Sequence, residues 1–319
     1  PVPGGARPRA NDPEPERCDA VAYCRAGARI AGAVMPFQPR VAILVPALDY
    51  YEKWQPAFAR KAAALTTAGL IVEQRVWTGP GDLSGYDLIL PLFAWGYQRD
   101  VAGWYALLDR LEEERFPVVN PVPVLRWNSD KAYLGELGAK GVAVVPTVEV
   151  AELDDAGLAE AMAELSTDEV VIKPAISGGA DGTHRIMPGA PIPEDALGQR
   201  RLVQPLMSGI LTEGEYSLFF FAGKFSHAIV KRPASGDFRV QEQFGGRETP
   251  WDASDAAQVL AAQALAAAPA PPVYARVDMV GDAAGKLHIM ELELIEPSLF
   301  LHHAPDRGAA FGLAVYGAI

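Results

Sequence analysis

Three carboxylates near the C-terminal end carry the most specific chemical signal in the sequence. In ARVDMV, Arg276 and Asp278 stand two residues apart, and in MELELIEPS so do Glu291 and Glu293. Residues two apart on a β-strand point to one face. Each segment therefore offers a charged face, with Leu292 and Leu294 on the opposite, apolar one. Carboxylates converging from neighbouring strands stay ionised away from water only beside a cation. Hard oxygen donors suit Mg²⁺, which completes its shell with water and substrate phosphates. A single acidic pair is more simply a solvated strand face; two pairs and an arginine bring the metal reading level with it.

Two lysines occupy distinctive settings. Lys173 ends the apolar run VVIKP, and the turn after it, SGGADGTHR, contains Ser177, Gly178, Gly179, Gly182 and Thr183. Such a loop lets backbone N–H groups approach phosphate oxygens closely. It is not a Walker A sequence, because no G-K-[ST] ends it, and taken alone it is more simply a hairpin turn. Lys131, in RWNSDKAYL, falls in the first turn of an expected helix with Asn128 or Ser129 as cap, where a surface lysine is the plain alternative. In LVQPLMSGILTEGEYS an apolar strand runs through Gln204, Pro205 and Leu206 towards Glu213 and Glu215. A stretch of this kind exposes backbone groups that an adenine ring can use and a carboxylate that a ribose can use.

These side chains need elements to position them. From Arg40 the pattern is regular: strands at 41–46, 71–77 and 87–92 alternate with helices at about 52–68 and 101–115, and FPVVNP (116–121) closes the unit. Alternation of this kind predicts a doubly wound parallel sheet. After it come strands at 170–174, 201–205, 215–233, 273–280 and 286–295, with Ala222-Gly223 as a hairpin turn inside the longest. Helices at about 126–139, 154–165 and 252–268 cover them, the last capped by Asp252 or Ser254. The fold class is thus α/β followed by α+β, with an antiparallel sheet in each of two further lobes.

Composition narrows the function. The chain has 319 residues, half of them hydrophobic, and a net charge of −12. This acidic balance excludes a nucleic-acid footprint, which needs clustered basic surface, and no apolar run approaches the roughly 20 residues of a membrane helix. Neither of the two cysteines, Cys18 and Cys24, has a disulfide or zinc context. Residues 1–39 read as a disordered extension, without the apolar core of a signal peptide and with Met35 as a candidate initiator. A cytoplasmic location is the expectation.

The order Lys131, Lys173 with its glycine-rich loop, VQPLM before Glu215, Arg276/Asp278 and Glu291-Leu292-Glu293 resembles the ATP-grasp superfamily in its glutathione-synthetase-like branch. The stretches LILPLFAWGYQRD, VVNPVPVLRWNSDK, KPAISGGADGT, KRPASGDFRVQEQFGG and MELELIEPSLFLHH are similar to ligases of the D-cycloserine synthetase type. The resemblance implies a Rossmann-like pre-ATP-grasp domain (40–125), a central lid lobe (126–206) and a C-terminal antiparallel-sheet lobe (207–319). It implies ATP contacts from Lys131, Lys173, loop 177–183, Gln204 to Met207, Glu213 and Glu215. Asp278, Glu291 and Glu293 would hold two Mg²⁺ ions, with Mn²⁺ as a substitute. Arg239 and Arg276 would be the catalytic cations. Arg239, Gln241, Gly245, Gly246 and Ser298 would meet the substrate. Two positions depart from the branch: Glu293 stands where Asn is common, and Gln241 where glutathione synthetase has Asn.

The implied reaction activates the carboxylate of a small amino-acid-like substrate as an acyl phosphate, and a nitrogen then attacks to form an amide-type C–N bond, releasing ADP and phosphate. The attack is either intermolecular or an intramolecular ring closure, and a non-catalytic ATP-binding protein is the alternative from another class. No nucleic acid or membrane partner is implied, and a homo-oligomer is compatible. Trp95, Tyr97 and Arg99, just past a buried strand, are further candidates for the substrate pocket. His302-His303 follows the acidic strand and could touch the substrate, but reads more simply as a surface pair or one behind the substrate.

Overall fold

The computed structural model describes residues 38–319 except 48, 51 and 52. The expectations for residues 1–37, including the extension, both cysteines and Met35, lie outside the described residues.

The first sheet forms because RVAILV is apolar on both faces. Strand β1 (Arg40–Val45) is buried from Val41 to Val45 and pairs in parallel with β2 (Ile71–Val76) and β3 (Leu88–Leu90), in the order β2-β1-β3. Val41, Ile43 and Val45 pack in one core with Leu65 of α1 (Gln55–Thr67) and Phe311 of the final helix α8 (Ala309–Tyr316). Ala42 and Leu44 face the other way, against Trp104, Leu108 and Leu111 of α2 (Val101–Glu113). Helices on both faces make the sheet doubly wound, as the alternation predicts. FPVVNP adds a single parallel bridge, Ile89 with Val118, rather than a strand, since its two prolines lack the donors a ladder needs.

The helix expected at 126–139 is two helices, α3 (Val122–Ser129) and α4 (Tyr133–Ala139). Asp130 breaks it with extended dihedrals (φ −112°, ψ 118°), its carboxylate accepting from Ala132 N (2.9 Å) and pairing with Arg200 (2.5 Å). Asn128 and Ser129 are therefore not caps; they lie inside α3.

The second sheet is antiparallel, in the order β4-β7-β5-β6, from β4 (Val148–Val150), β5 (Val170–Pro174), β6 (His184–Ile186) and β7 (Arg201–Pro205). Helix α5 (Asp155–Leu165), capped by Asp154, closes its apolar side with Leu158 and Ala161 over Val170, Ile172 and Val203.

The third sheet is also antiparallel, in the order β10-β9-β8-β11-β12. Its strands are β8 (Glu215–Phe221), β9 (Lys224–Arg232), β10 (Arg247–Pro250), β11 (Tyr274–Gly281) and β12 (Leu287–Glu293). Ala222 and Gly223 both take positive φ (48° and 74°), the two-residue turn expected of this hairpin. A short helix, α6 (Gly209–Thr212), precedes β8, and α7 (Asp255–Ala266) is capped by Ser254, not Asp252. The apolar face of α7 packs on Leu218, Ala275 and Val277. Tyr133, Leu134 and Leu137 of α4 enter this same core, so α4, within the range assigned from sequence to the central lobe, packs with the third sheet.

Candidate functional site

Register brings the acidic faces together. On β11 and β12, Arg276 lies opposite Glu293 and Asp278 opposite Glu291, with Leu292 and Leu294 buried on the reverse side. Asp278 is 2% exposed and spends both oxygens on protein donors. Its Oδ1 accepts from Ser217 Oγ (2.5 Å) and Arg276 Nε (3.0 Å), and its Oδ2 from Arg276 Nε (3.0 Å) and Nη2 (2.7 Å). Burial raises the Asp278 pKa, but Arg276 and Lys231 outweigh it and hold the group at about 2. Arg276 Nη2 also pairs with Glu293 Oε1, and Lys131 Nζ lies 3.2 Å from Glu291 Oε1. Burial pushes Glu293 well above the usual carboxylate range despite Arg276, with Asp278 and Glu291 adding to the rise. These ion pairs of Glu291 and Glu293 both run through Oε1, and each carboxylate lines the cleft, where its oxygens are hard donors for a cation.

Basic groups face this strand pair across a cleft of about 810 Å³. Lys131 is not on the surface: it is 4% exposed and donates to Ser177 O at 2.5 Å, which pins the start of the glycine-rich loop. Lys173 is 7% exposed, and burial pulls its pKa down to about 8. Residues 177–183 all line the cleft. Gln243 Nε2 donates to Gly179 O (3.4 Å) and Arg99 pairs with Asp181 (3.1 Å), so the loop is held over the cleft from both sides.

The far end of the cleft is apolar. Leu206, Met207, Ile210, Val240, Val280 and Met290 form a slot between the second and third sheets. Beside it, Gln204 Nε2 donates to Thr147 Oγ1 (2.8 Å), and Leu206 N donates to Glu169 O (3.3 Å). Glu215, 4% exposed, pairs with Lys231, which also lies 3.8 Å from Asp278. Burial raises the Glu215 pKa, and the charge of Lys231 opposes it.

The structure gathers most of the residues expected from sequence but not all. Lys131, Lys173, Ser177, Gly178, Gly179, Gly182, Thr183, Gln204, Pro205, Leu206, Glu215, Arg239, Gln241, Arg276, Asp278, Glu291, Glu293 and Ser298 line the one cleft. Glu213 does not: Gly214 turns the chain with φ 104°, and the exposed Glu213 carboxylate accepts from Tyr216 OH (2.7 Å) outside it. Gly245 and Gly246 also stay out of the lining; a Cβ on Gly246 would stand 2.0 Å from Val240 O, so that glycine serves close backbone packing. Tyr97 is 4% exposed in the core beneath α2, whereas Trp95 reaches the cleft. Arg239 is tied to Asp237 (2.8 Å) and stacks over Phe244 at 3.7 Å, which aims a preformed guanidinium along the wall.

Lys231, Glu296 and Gln98 line the cleft without having been foreseen. Lys231 had a signal, since it ends the apolar run HAIVK just as Lys173 ends VVIK. Glu296 had none: it follows β12 in an irregular segment, and only the tertiary fold turns it inward.

A family model for the N-terminal domain of D-cycloserine synthetase DcsG matches residues 41–120. The chain is 31% identical over 270 residues to the cycloserine biosynthesis protein DcsG of Streptomyces lavendulae, covering 79% of this chain and 90% of that protein. It belongs to the DcsG-like ATP-grasp ligases. The crystal structure of D-cycloserine synthetase DcsG matches with a TM-score of 0.77 at 28% identity, over 87% of this chain and 99% of that one. The fold is shared further, with D-alanine–D-alanine ligase from Bacillus anthracis (TM-score 0.65, 16% identity, 88% and 97% covered). It is shared likewise with the ATP-grasp ligase PsnB complexed with its minimal precursor (TM-score 0.61, 15% identity, 89% and 100% covered). The D-alanine–D-alanine ligase has been solved with ATP, and PsnB with Mg and ADP. Membership makes the chain an ATP-dependent ligase that forms C–N bonds. No helix among the described residues is long and apolar enough to cross a membrane.

Proposed function

We propose that the cleft phosphorylates the carboxylate of an amino-acid-like substrate with MgATP and passes the acyl group to a nitrogen nucleophile. The observation that carries this reading is the convergence, in one cleft, of two buried lysines, an apolar slot and a strand pair of carboxylates. In this reading the slot takes adenine, with Gln204 to Met207 along its edge, and Glu215 takes the ribose. Lys131 and Lys173 meet the phosphates under loop 177–183. A carboxylate oxygen of the substrate forms a bond to the γ-phosphorus, the β–γ bridge breaks, and ADP leaves. The nitrogen then attacks the acyl carbon, loses a proton, and expels phosphate.

The donor set fits Mg²⁺, which would supply charge compensation for the transferring phosphoryl group. Glu291 and Glu293 would hold it, and Asp278 would join by releasing a donor from Arg276 or Ser217. Arg239, preoriented by Asp237 and Phe244, would stabilise the negative charge that develops at the reacting carbonyl. Loop 177–183 would exclude water, which protects an acyl phosphate from hydrolysis.

Trapping decides the reading. Hydroxylamine added to enzyme, MgATP and an amino-acid panel should yield a hydroxamate together with ADP; ADP formation with a stable phosphorylated product and no hydroxamate would point instead to a simple kinase. The likeness to D-cycloserine synthetase DcsG favours a second, finer form, in which the nitrogen belongs to the same substrate molecule and a ring closes. ADP release with one substrate and no acceptor, together with a cyclised product, supports ring closure, and strict dependence on an acceptor amine rejects it.

A further inference from the structure

We propose that Glu248, His302 and His303 form a separate site for a transition-metal dication of the Zn²⁺ type, at the rim of the cleft. One potential ligand atom from each residue lies within 4.8 Å of the other two. Two ligands bound at about 2.1 Å to a tetrahedral ion stand about 3.4 Å apart, so the contraction required is within reach of side-chain rotation. His302 Nε2 is already 3.7 Å from Glu248 Oε1, and the two imidazole rings are in contact with centroids 4.2 Å apart.

Adjacent histidines on a strand would point to opposite faces. Here Phe300 takes a positive φ of 43° and its carbonyl accepts from His303 N (2.9 Å), and the resulting turn brings both rings to the same side. The glutamate comes from β10, a different element, so the cluster is a product of tertiary structure. His303 Nε2 is buried with no hydrogen-bond partner among the described residues. An uncommitted buried ring nitrogen is costly unless something satisfies it.

Two imidazoles and one carboxylate select borderline ions such as Zn²⁺, whereas the all-oxygen set of Glu291 and Glu293 suits Mg²⁺. The two sites would therefore sort metals by ligand chemistry. Three protein ligands leave a coordination position open. Glu248 and Phe300 line the cleft, so water or a donor atom of the substrate can fill that position.

Co²⁺ is the probe, titrated into full-length Cys18→Ser/Cys24→Ser protein at saturating Mg²⁺ and followed by ligand-field absorption. One equivalent should bind. His302→Gln and Glu248→Gln, each verified as folded by circular dichroism, should each weaken it at least about tenfold. Glu291→Gln should leave the Co²⁺ affinity unchanged. Absence of the absorption, wild-type affinity in both rim variants, or loss of Co²⁺ binding in Glu291→Gln would each overturn the assignment.

Discussion

Replacing Lys231 by methionine removes the ammonium that Glu215 depends on. Lys231, Glu215 and Asp278 are 7%, 4% and 2% exposed, and Lys231 is the cation shared by the two acids. Asp278 keeps Arg276 and Ser217 after the change, so the loss falls on Glu215. Breaking a buried ion pair from one side costs about 3–5 kcal/mol. The pH dependence follows from the direction of the Glu215 shift. Burial already raises its pKa in the folded protein, so between the ordinary carboxylate value and the raised one the folded state binds more protons than the unfolded chain. Stability therefore falls as pH rises through that window, by up to about 1.4 kcal/mol per pH unit. Without Lys231 the folded pKa rises further and the window widens upward. The cost of Lys231→Met, read from urea unfolding by circular dichroism, should accordingly be larger at about pH 8 than at about pH 6. Lys231→Met/Glu215→Met should recover at least about 2 kcal/mol of the loss at the higher pH. A loss under about 1 kcal/mol, a loss independent of pH, or a double variant as unstable as the single would refute the reasoning.

Glu291→Gln should cut ADP formation at least about 10²-fold with little change in Tm; normal turnover would remove Glu291 from the metal assignment. Lys173 loses its charge as pH rises through about 8, so kcat/KM for ATP should fall up to about tenfold per pH unit above that point. Lys173→Arg should flatten that limb, and an unchanged limb would assign it to another group. Gly246→Ala places a Cβ 2.0 Å from Val240 O and should cost about 1–3 kcal/mol in urea unfolding. A neutral result there would show that the 237–246 segment yields readily.

Much was legible in the sequence because it depends on near neighbours. The apolar run of β1, the two-residue turn at Ala222-Gly223 and the shared faces of Arg276/Asp278 and Glu291/Glu293 all follow from a period of two and from turn chemistry. The break at Asp130 escaped such reading because it is enforced from outside, by the Arg200 ion pair and by Lys131 N donating to Ala175 O. Glu213 and Glu215 likewise share a strand-like spacing, and the turn at Gly214 sends them to different surroundings.

The order of lysines, glycines and carboxylates along the chain thus determined the family and the kind of chemistry. Which cation meets which acid was decided only in three dimensions. Strand register sets Arg276 against Glu293, the approach of α4 to β12 sets Lys131 against Glu291, and the β8–β9 pairing sets Lys231 against Glu215. The physical reason is range: periodicity governs the direction a side chain takes, whereas charge compensation at a buried site depends on residues distant in sequence that burial brings within a few ångströms.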